Sequence, residues 1–481
     1  MKAIHFVWLF FLIVIIVFLS MILYRTCTYF QKPQFQAFSL IPDNVSLIVK
    51  GKYAENILEF DKENAYFLSF LSSEKQRKRM NCLFSMLNYK QLAQNASLYL
   101  SLHNNPNDEW TIILETSKSY NAVLLDFIDS LRLRFYKETF VYKNNTIYVF
   151  SINNENVYLN HHNGVLLMTY SENLMRQAVN KLEIHKNTIQ LAVNAIPVQR
   201  DENAEIHVFV QYNYFIPYLK NKIQQMEGNT AALDILKTCQ WSVFELNTKK
   251  QAVLLSGYTI VDTANHLSKL LIHRNNNLDI LKMLPYNANR IFSIKANCAQ
   301  DWKKMKPMVQ PQEDFFSLTS PNQIVTFDIE NDTTVFHYLL IKSENSSEAS
   351  FHLYNSLLSS FEKNHAVLDT FHIGSQLVGH INLSNFVFAK LGICNQLPHL
   401  KYYTVIDDYL IFTDKKEGML ACVEQLRYNN TLNKSADYQS SQNYFTNEAN
   451  MFYYGCFANR LIRMQLYAKS DAILLMDMLL K

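Results

Sequence analysis

YLNHHNGVLLMTYSENLMRQAVNKL, residues 158–182, changes period partway along. Its first part alternates as two short strands around Asn163-Gly164, a dipeptide that accepts the left-handed backbone of a two-residue hairpin turn. Its second part places Leu174, Met175, Ala178, Val179 and Leu182 on one face of a helix that Ser171 can cap. The same order returns in YYTVIDDYLIFTDKKEGMLACVEQL, residues 402–426, without a gap. Leu166 pairs with Leu410, Thr169 with Thr413, Met175 with Met419, Val179 with Val423 and Leu182 with Leu426, always 244 residues apart. Asp407-Asp408 takes the turn, and Asp414 with Glu417 reads as a capping box. Cys422 stands where Ala178 stood, which marks that thiol as a packing residue.

Further matches flank this one. Residues 40–45 (LIPDNV) resemble 283–288 (MLPYNA), with Pro42 and Pro285 243 residues apart, and Ala204 matches Ala449 at 245. A period this long is a duplicated domain, since solenoid repeats recur every 20–50 residues or so. Smaller hairpin-plus-helix units sit inside it: strands 98–102 and 110–114 with helix 122–131, strands 243–246 and 253–256 with helix 264–271, and strands 324–329 and 335–341 with helix 351–361. Such units predict antiparallel sheets with helices packed on one face.

Residues 3–24, AIHFVWLFFLIVIIVFLSMILY, hold no charged side chain between His5 and Arg25. A helix needs roughly 20 apolar residues to cross a hydrocarbon core. The run exceeds a signal peptide's apolar region and lacks a small-residue cleavage site, so an uncleaved anchor is expected. The fold class expected is therefore α+β: an N-terminal transmembrane helix, then two tandem related domains of antiparallel sheet with helices packed on one face. The domains expected are 1–24 (short tail and anchor), 25–37 (tether), 38–276 (first repeat) and 277–481 (second, shorter repeat). Lys481 falls opposite Lys237, so the second repeat lacks a counterpart of residues 239–271. Either that hairpin serves both repeats or an edge is left for a partner strand.

Composition narrows the class. The chain is 49% hydrophobic, 13% aromatic and 18% charged, which favours a packed core over disorder. A net charge of +3 is too small to argue for nucleic acid. With 9 Gly and 10 Pro, punctuation passes to Asn, as at Asn104-Asn105, Asn144-Asn145, Asn153-Asn154 and Asn429-Asn430, because Asn tolerates left-handed turns. The seven cysteines (Cys27, Cys82, Cys239, Cys298, Cys394, Cys422 and Cys456) form no C-x-x-C and no staple pattern.

No catalytic, metal or cofactor constellation emerges. His161-His162 would point to opposite faces of a strand, and His365, His372 and His380 lack zinc-site spacing. The run from Gly374 to Gly379 does not match a nucleophile elbow, and its glycines read as strand bends. Lys75, Arg77, Lys78 and Arg79 make the one basic cluster, read as a solvated helix face with anionic lipid as the alternative.

The segment from Asn163 to Ser171 with Leu174, Ala178 and Leu182, together with Pro42-Asp43-Asn44-Val45, resembles a family of uncharacterised, single-pass bacterial envelope proteins carrying a domain of unknown function. The resemblance implies an N-terminal anchor and hairpin-helix elements; the short amino tail before a large domain reads as a signal anchor in the inner (cytoplasmic) membrane, with the bulk of the chain exported. It brings no reaction and no functional residues, and many members run longer at the C-terminus. The function expected is a non-catalytic, membrane-anchored envelope scaffold or protein-interaction module, with strand addition at the second repeat as its mode of binding. The alternative is a carrier or sensor of an apolar ligand in a sheet/helix groove.

Overall fold

A computed structural model describes residues 18–21, 37–64, 67–68, 71–87, 90–104, 109–183, 204–225, 236–249, 252–262, 278–295, 321–331, 334–343, 368–381, 400–446, 448–457, 460–470 and 473–481. The chain divides into two compact units, residues 1–195 with 200–209 and residues 196–199 with 210–481. Antiparallel strand dominates, at 49% of the described residues, so the α+β class is corrected to a predominantly antiparallel β fold. Among the described residues no helix is long and apolar enough to cross a membrane. The expectation of a single-pass signal-anchor is corrected on that finding. Of residues 3–24 only Phe18 to Met21 are described, as helix, and the rest lie outside the described residues.

The first unit contains β1 (Val45–Gly51), α1 (Ala54–Glu63), α2 (Glu74–Leu87), α3 (Lys90–Asn95), β2 (Ala96–His103), β3 (Glu109–Thr116), α4 (Asn121–Phe135), β4 (Tyr136–Tyr142), β5 (Asn145–Ile152), β6 (Glu155–His162), β7 (Val165–Thr169), α5 (Glu172–Glu183) and the start of β8 (Ile206–Gln211). Its ladder order is β8-β1-β2-β3-β7-β6-β5-β4. Left-handed Asn residues make the tight turns: Asn153 and Asn154 (φ 50° and 63°), and Asn163 (φ 45°) before Gly164 (φ 82°). Ser171 caps α5, its Oγ accepting from Leu174 N at 3.3 Å. The helix then buries Leu174, Met175, Ala178 and Val179 completely.

The second unit contains α6 (Tyr212–Gln225), β9 (Cys239–Lys249), β10 (Ala252–Val261), β11 (Ala288–Lys295), β12 (Pro321–Asn331), β13 (Thr334–Ser343), β14 (Leu368–Ile373), β15 (Gln376–Ile381), β16 (Tyr402–Ile406), β17 (Tyr409–Thr413), α7 (Lys416–Arg427), α8 (Ala436–Gln442), β18 (Met451–Phe457), β19 (Arg460–Ser470) and β20 (Ile473–Leu480). Its order is β9-β10-β20-β19-β18-β11-β12-β13-β17-β16-β15-β14. The last eight strands repeat the order of the first unit. Even the bond at the strand ends recurs: Lys52 N donates to Glu205 O at 2.8 Å, and Lys295 N donates to Asn450 O at 3.0 Å.

Three local expectations change. The hairpin β9–β10, assigned to the first repeat, pairs through β10 with β20 and belongs to the second unit. Of the two alternatives, an edge left for a partner strand is removed at β20, which the chain's own β10 covers. Lys415, not Asp414, is the N-cap of α7 and makes no side-chain cap; Asp414 Oδ1 accepts from His337 N at 3.1 Å instead. Strands occur at the other expected hairpins, while helices 264–271 and 351–361 lie outside the described residues.

Each unit has an apolar core. In the second, Val325, Phe327, Tyr338, Leu340, Ile411, Cys422 and Phe452 form one cluster. Arg463 is also fully buried there, its guanidinium stacked over Tyr438, Phe445 and Phe452 at 4.4–5.5 Å. Its Nη1 donates to Ser441 Oγ at 3.0 Å. A flat cation between aromatic faces is a packing piece, because ring quadrupoles offset part of its desolvation.

Candidate functional site

Four groupings invite a chemical reading: one is buried, two are closed by ion pairs and one is a pair of strand edges. In the first unit Ser101 Oγ lies 3.0 Å from His103 Nε2, and His103 Nδ1 lies 3.3 Å from Asn44 Oδ1. The order hydroxyl, imidazole, orienting amide is that of a hydrolytic triad. Yet Ser101, His103 and the adjoining Thr111 are all 0% exposed, so no substrate atom reaches the hydroxyl. Burial pushes the His103 pKa down to about 3, keeping the ring neutral. Register supplies a second argument. The rung Ser101–Thr111–Thr169 corresponds to Phe327–Tyr338–Thr413, because Thr169 and Thr413 are 244 apart. Phe327 and Tyr338 stack at 4.6 Å there, and Ile329 takes the place of His103. The position is a core position that one unit fills with polar groups and the other with apolar ones.

Each of the four cations on α2 meets a carboxylate, with Lys75 and Arg79 sharing Glu155. Arg79 forms a two-pronged bond to Glu155 at 2.7 and 2.8 Å, with Lys75 at 3.3 Å from the same carboxylate. These partners hold the Glu155 carboxyl down at about 2. Lys78 meets Glu74 at 2.7 Å, and Arg77 meets Asp61 at 2.6 Å without hydrogen-bond alignment. The helix is thereby fastened to the β5–β6 turn, and little free positive charge is left for a lipid surface. Between α2 and β3 lies a small cleft of about 20 Å³, room for a water rather than a larger ligand, lined among others by Arg79, Met80, Leu83, Trp110 and Tyr170. The Trp110 indole N–H is buried there without a partner.

In the second unit His337 Nδ1 and Asp328 Oδ1 are 2.7 Å apart, and Arg290 reaches Asp328 and Glu330 at 2.8 Å. The hydrogen bond to Asp328 raises the His337 pKa. No hydroxyl or thiol nucleophile is among these contacts, so the group acts as a clamp joining β11, β12 and β13.

The histidines singled out from sequence are not brought together. His161 contacts Asn121, His162 contacts Asn163, and His380 stacks on Tyr402 at 4.9 Å. His372 is exposed on β14, and His365 lies outside the described residues. Among the described residues no three His, Cys, Asp or Glu gather as metal ligands. Cys82, Cys239 and Cys422 are free thiols, and burial pushes Cys239 and Cys422 up to about 12, which makes them inert. Cys27, Cys298 and Cys394 lie outside the described residues.

The fourth grouping faces outward. β4 pairs only with β5, and β14 only with β15, among the described residues. Residues 136–139 and 141 of β4 are exposed, Val141 at 70% and Tyr136 at 50%. Asp369, Thr370 and His372 of β14 are exposed too. An unpaired edge presents a row of backbone donors and acceptors that water or another strand must satisfy. Neither edge was legible beforehand, because strand patterning does not say which strand ends a ladder.

No family model matches the chain. No curated protein matches it either. Three solved chains do; one, titled "Structure of crystal form I of TP0453", covers 82% of this chain and 98% of its own at 10% identity, with a TM-score of 0.20. A likeness that shallow carries no argument about fold or function.

Proposed function

We propose that the chain is a non-catalytic interaction module whose exposed sheet edges accept an extended segment of a protein partner. The observation that carries this reading is the one-sided pairing of β4 and β14 among the described residues, β4 being exposed along most of its length and β14 at Asp369, Thr370 and His372. The sealed Ser101–His103 pair supports it, since the most triad-like group among the described residues is out of reach. Backbone pairing would supply affinity, and alternate side chains would supply selectivity. The test compares partners retained by the full chain with those retained by a Thr139→Pro, Thr370→Pro double variant, with the circular dichroism of both recorded. Partners lost from a variant that stays folded are expected; an unchanged partner set sinks the proposal.

A further inference from the structure

We infer that β4 and β14 are two copies of one docking site, and that each takes an antiparallel extended segment with an apolar residue opposite the edge phenylalanine and a Lys or Arg two positions further on. This rests on the edge reading above and adds the partner's chemistry and the number of sites. The rung Phe140–Ile147–Asn160–Leu167 corresponds to Phe371–Val378–Thr404–Ile411, because Leu167 and Ile411 are 244 apart. Glu138-Thr139-Phe140 therefore superimposes in register on Asp369-Thr370-Phe371: acid, threonine, phenylalanine in both. These triplets are 231 residues apart, not 244, so intervening lengths differ while the edge chemistry returns.

The surroundings return as well. Each phenylalanine lies beneath a cation from the helix after the inner hairpin: Arg176 of α5 at 5.3 Å from the Phe140 ring, and Lys416 of α7 at 4.4 Å from Phe371. Glu138 and Asp369 are exposed, and neither has an ion-pair partner among the described residues. Lys143 and Asn144 (φ 47° and 60°) close one hairpin, and Gly374 (φ 59°) opens the turn of the other. Two-residue turns of these types make Tyr142↔Asn145 and Ile373↔Gln376 hydrogen-bonded pairs. Counting back in alternation, Thr139 and Val141, and likewise Thr370 and His372, aim backbone N–H and C=O at the open side. Glu138 and Phe140 share one face, as do Asp369 and Phe371. An incoming antiparallel strand thus meets an apolar ring and, two residues along, an unpaired carboxylate, which cross-strand pairing matches with an apolar and a basic residue.

The test is calorimetric titration of the full chain with an end-blocked nine-residue peptide whose core reads Ile-Thr-Val-Thr-Lys. Two sites per chain are expected, one after Thr139→Pro, and none after Thr139→Pro with Thr370→Pro. Replacing the peptide's Lys by Glu weakens binding about three- to tenfold, from the usual size of a cross-strand charge pair. Glu138→Lys with Asp369→Lys reverses that preference and touches only exposed side chains, so it stands even if a proline variant misfolds. One site or none in the unchanged chain, or indifference to the charge reversals, overturns the inference. If native partners are still lost from the proline variants in that case, the edge reading survives and only the stated chemistry and count fall.

Discussion

His103 shows how a single buried side chain writes a pH dependence. Its folded pKa of about 3 lies below the ordinary 6.5. Between those values the unfolded chain binds a proton that the folded chain refuses, so stability is full above pH 6.5 and falls as pH drops toward 3. The loss from pH 7 to pH 5 is roughly 2 kcal/mol by linkage. His337 works in the opposite direction: its raised pKa adds stability on acidification, lost again as pH rises through the folded value. The raw curve therefore mixes the two, and the informative quantity is a difference between proteins. His103→Ile copies the second unit's Ile329 and leaves Ser101 and Thr111 bonded to each other. Urea unfolding at pH 7 and pH 5 is expected to show a smaller acid loss in the variant; equal losses in both proteins reject this account.

At the scale of elements, the glycines of two strands separate a backbone obstacle from a side-chain one. A Cβ on Gly257 would stand 1.9 Å from Val243 O in the neighbouring strand, while one on Gly379 would meet the Tyr403 ring at 2.2 Å. A ring can swing aside and a ladder carbonyl cannot. Gly257→Ala is expected to cost about 3 kcal/mol and Gly379→Ala about 1–2, at the upper and lower ends of overpacking. Urea midpoints in the reverse order would contradict this. Gly379 had been read as a strand bend; it is instead the seat of an aromatic ring, a long-range fact that local spacing does not carry. The hairpins were legible because period-2 alternation and Asn turns are local signals. The face of α5 was legible because spacing on a helix is local too. The pairing of β10 with β20, and of Arg79 and Arg77 with distant Glu155 and Asp61, was not, since ladder and ion-pair partners are chosen across tens to hundreds of residues. The candidate edges are hidden for a related reason: their triplet recurs at 231 residues, off the 244-residue period of the rest of the duplication.

At the scale of the whole molecule, a chain whose described part is 49% antiparallel strand must keep its own copies from pairing through open edges. β4 and β14 carry the means. Lys137 and Glu138 interrupt one edge, Asp369 and His372 the other, and these residues are exposed rather than folded into a core. Remove the acids, and what remains on that face is phenylalanine flanked by residues of high strand propensity. Glu138→Val with Asp369→Val keeps the ladders to β5 and β15, because cross-strand partners Val149 and His380 tolerate an aliphatic neighbour. Sedimentation velocity is expected to show the double variant gaining mass with concentration, relative to the unchanged chain at the same loading. Adding Thr139→Pro and Thr370→Pro to that background removes outward-facing N–H groups and should return the mass to the starting value. This second step separates edge pairing from general stickiness, since proline adds no charge and hides no apolar surface. If the variant sediments like the unchanged chain, or if the prolines fail to reverse its association, the acids do not guard these edges.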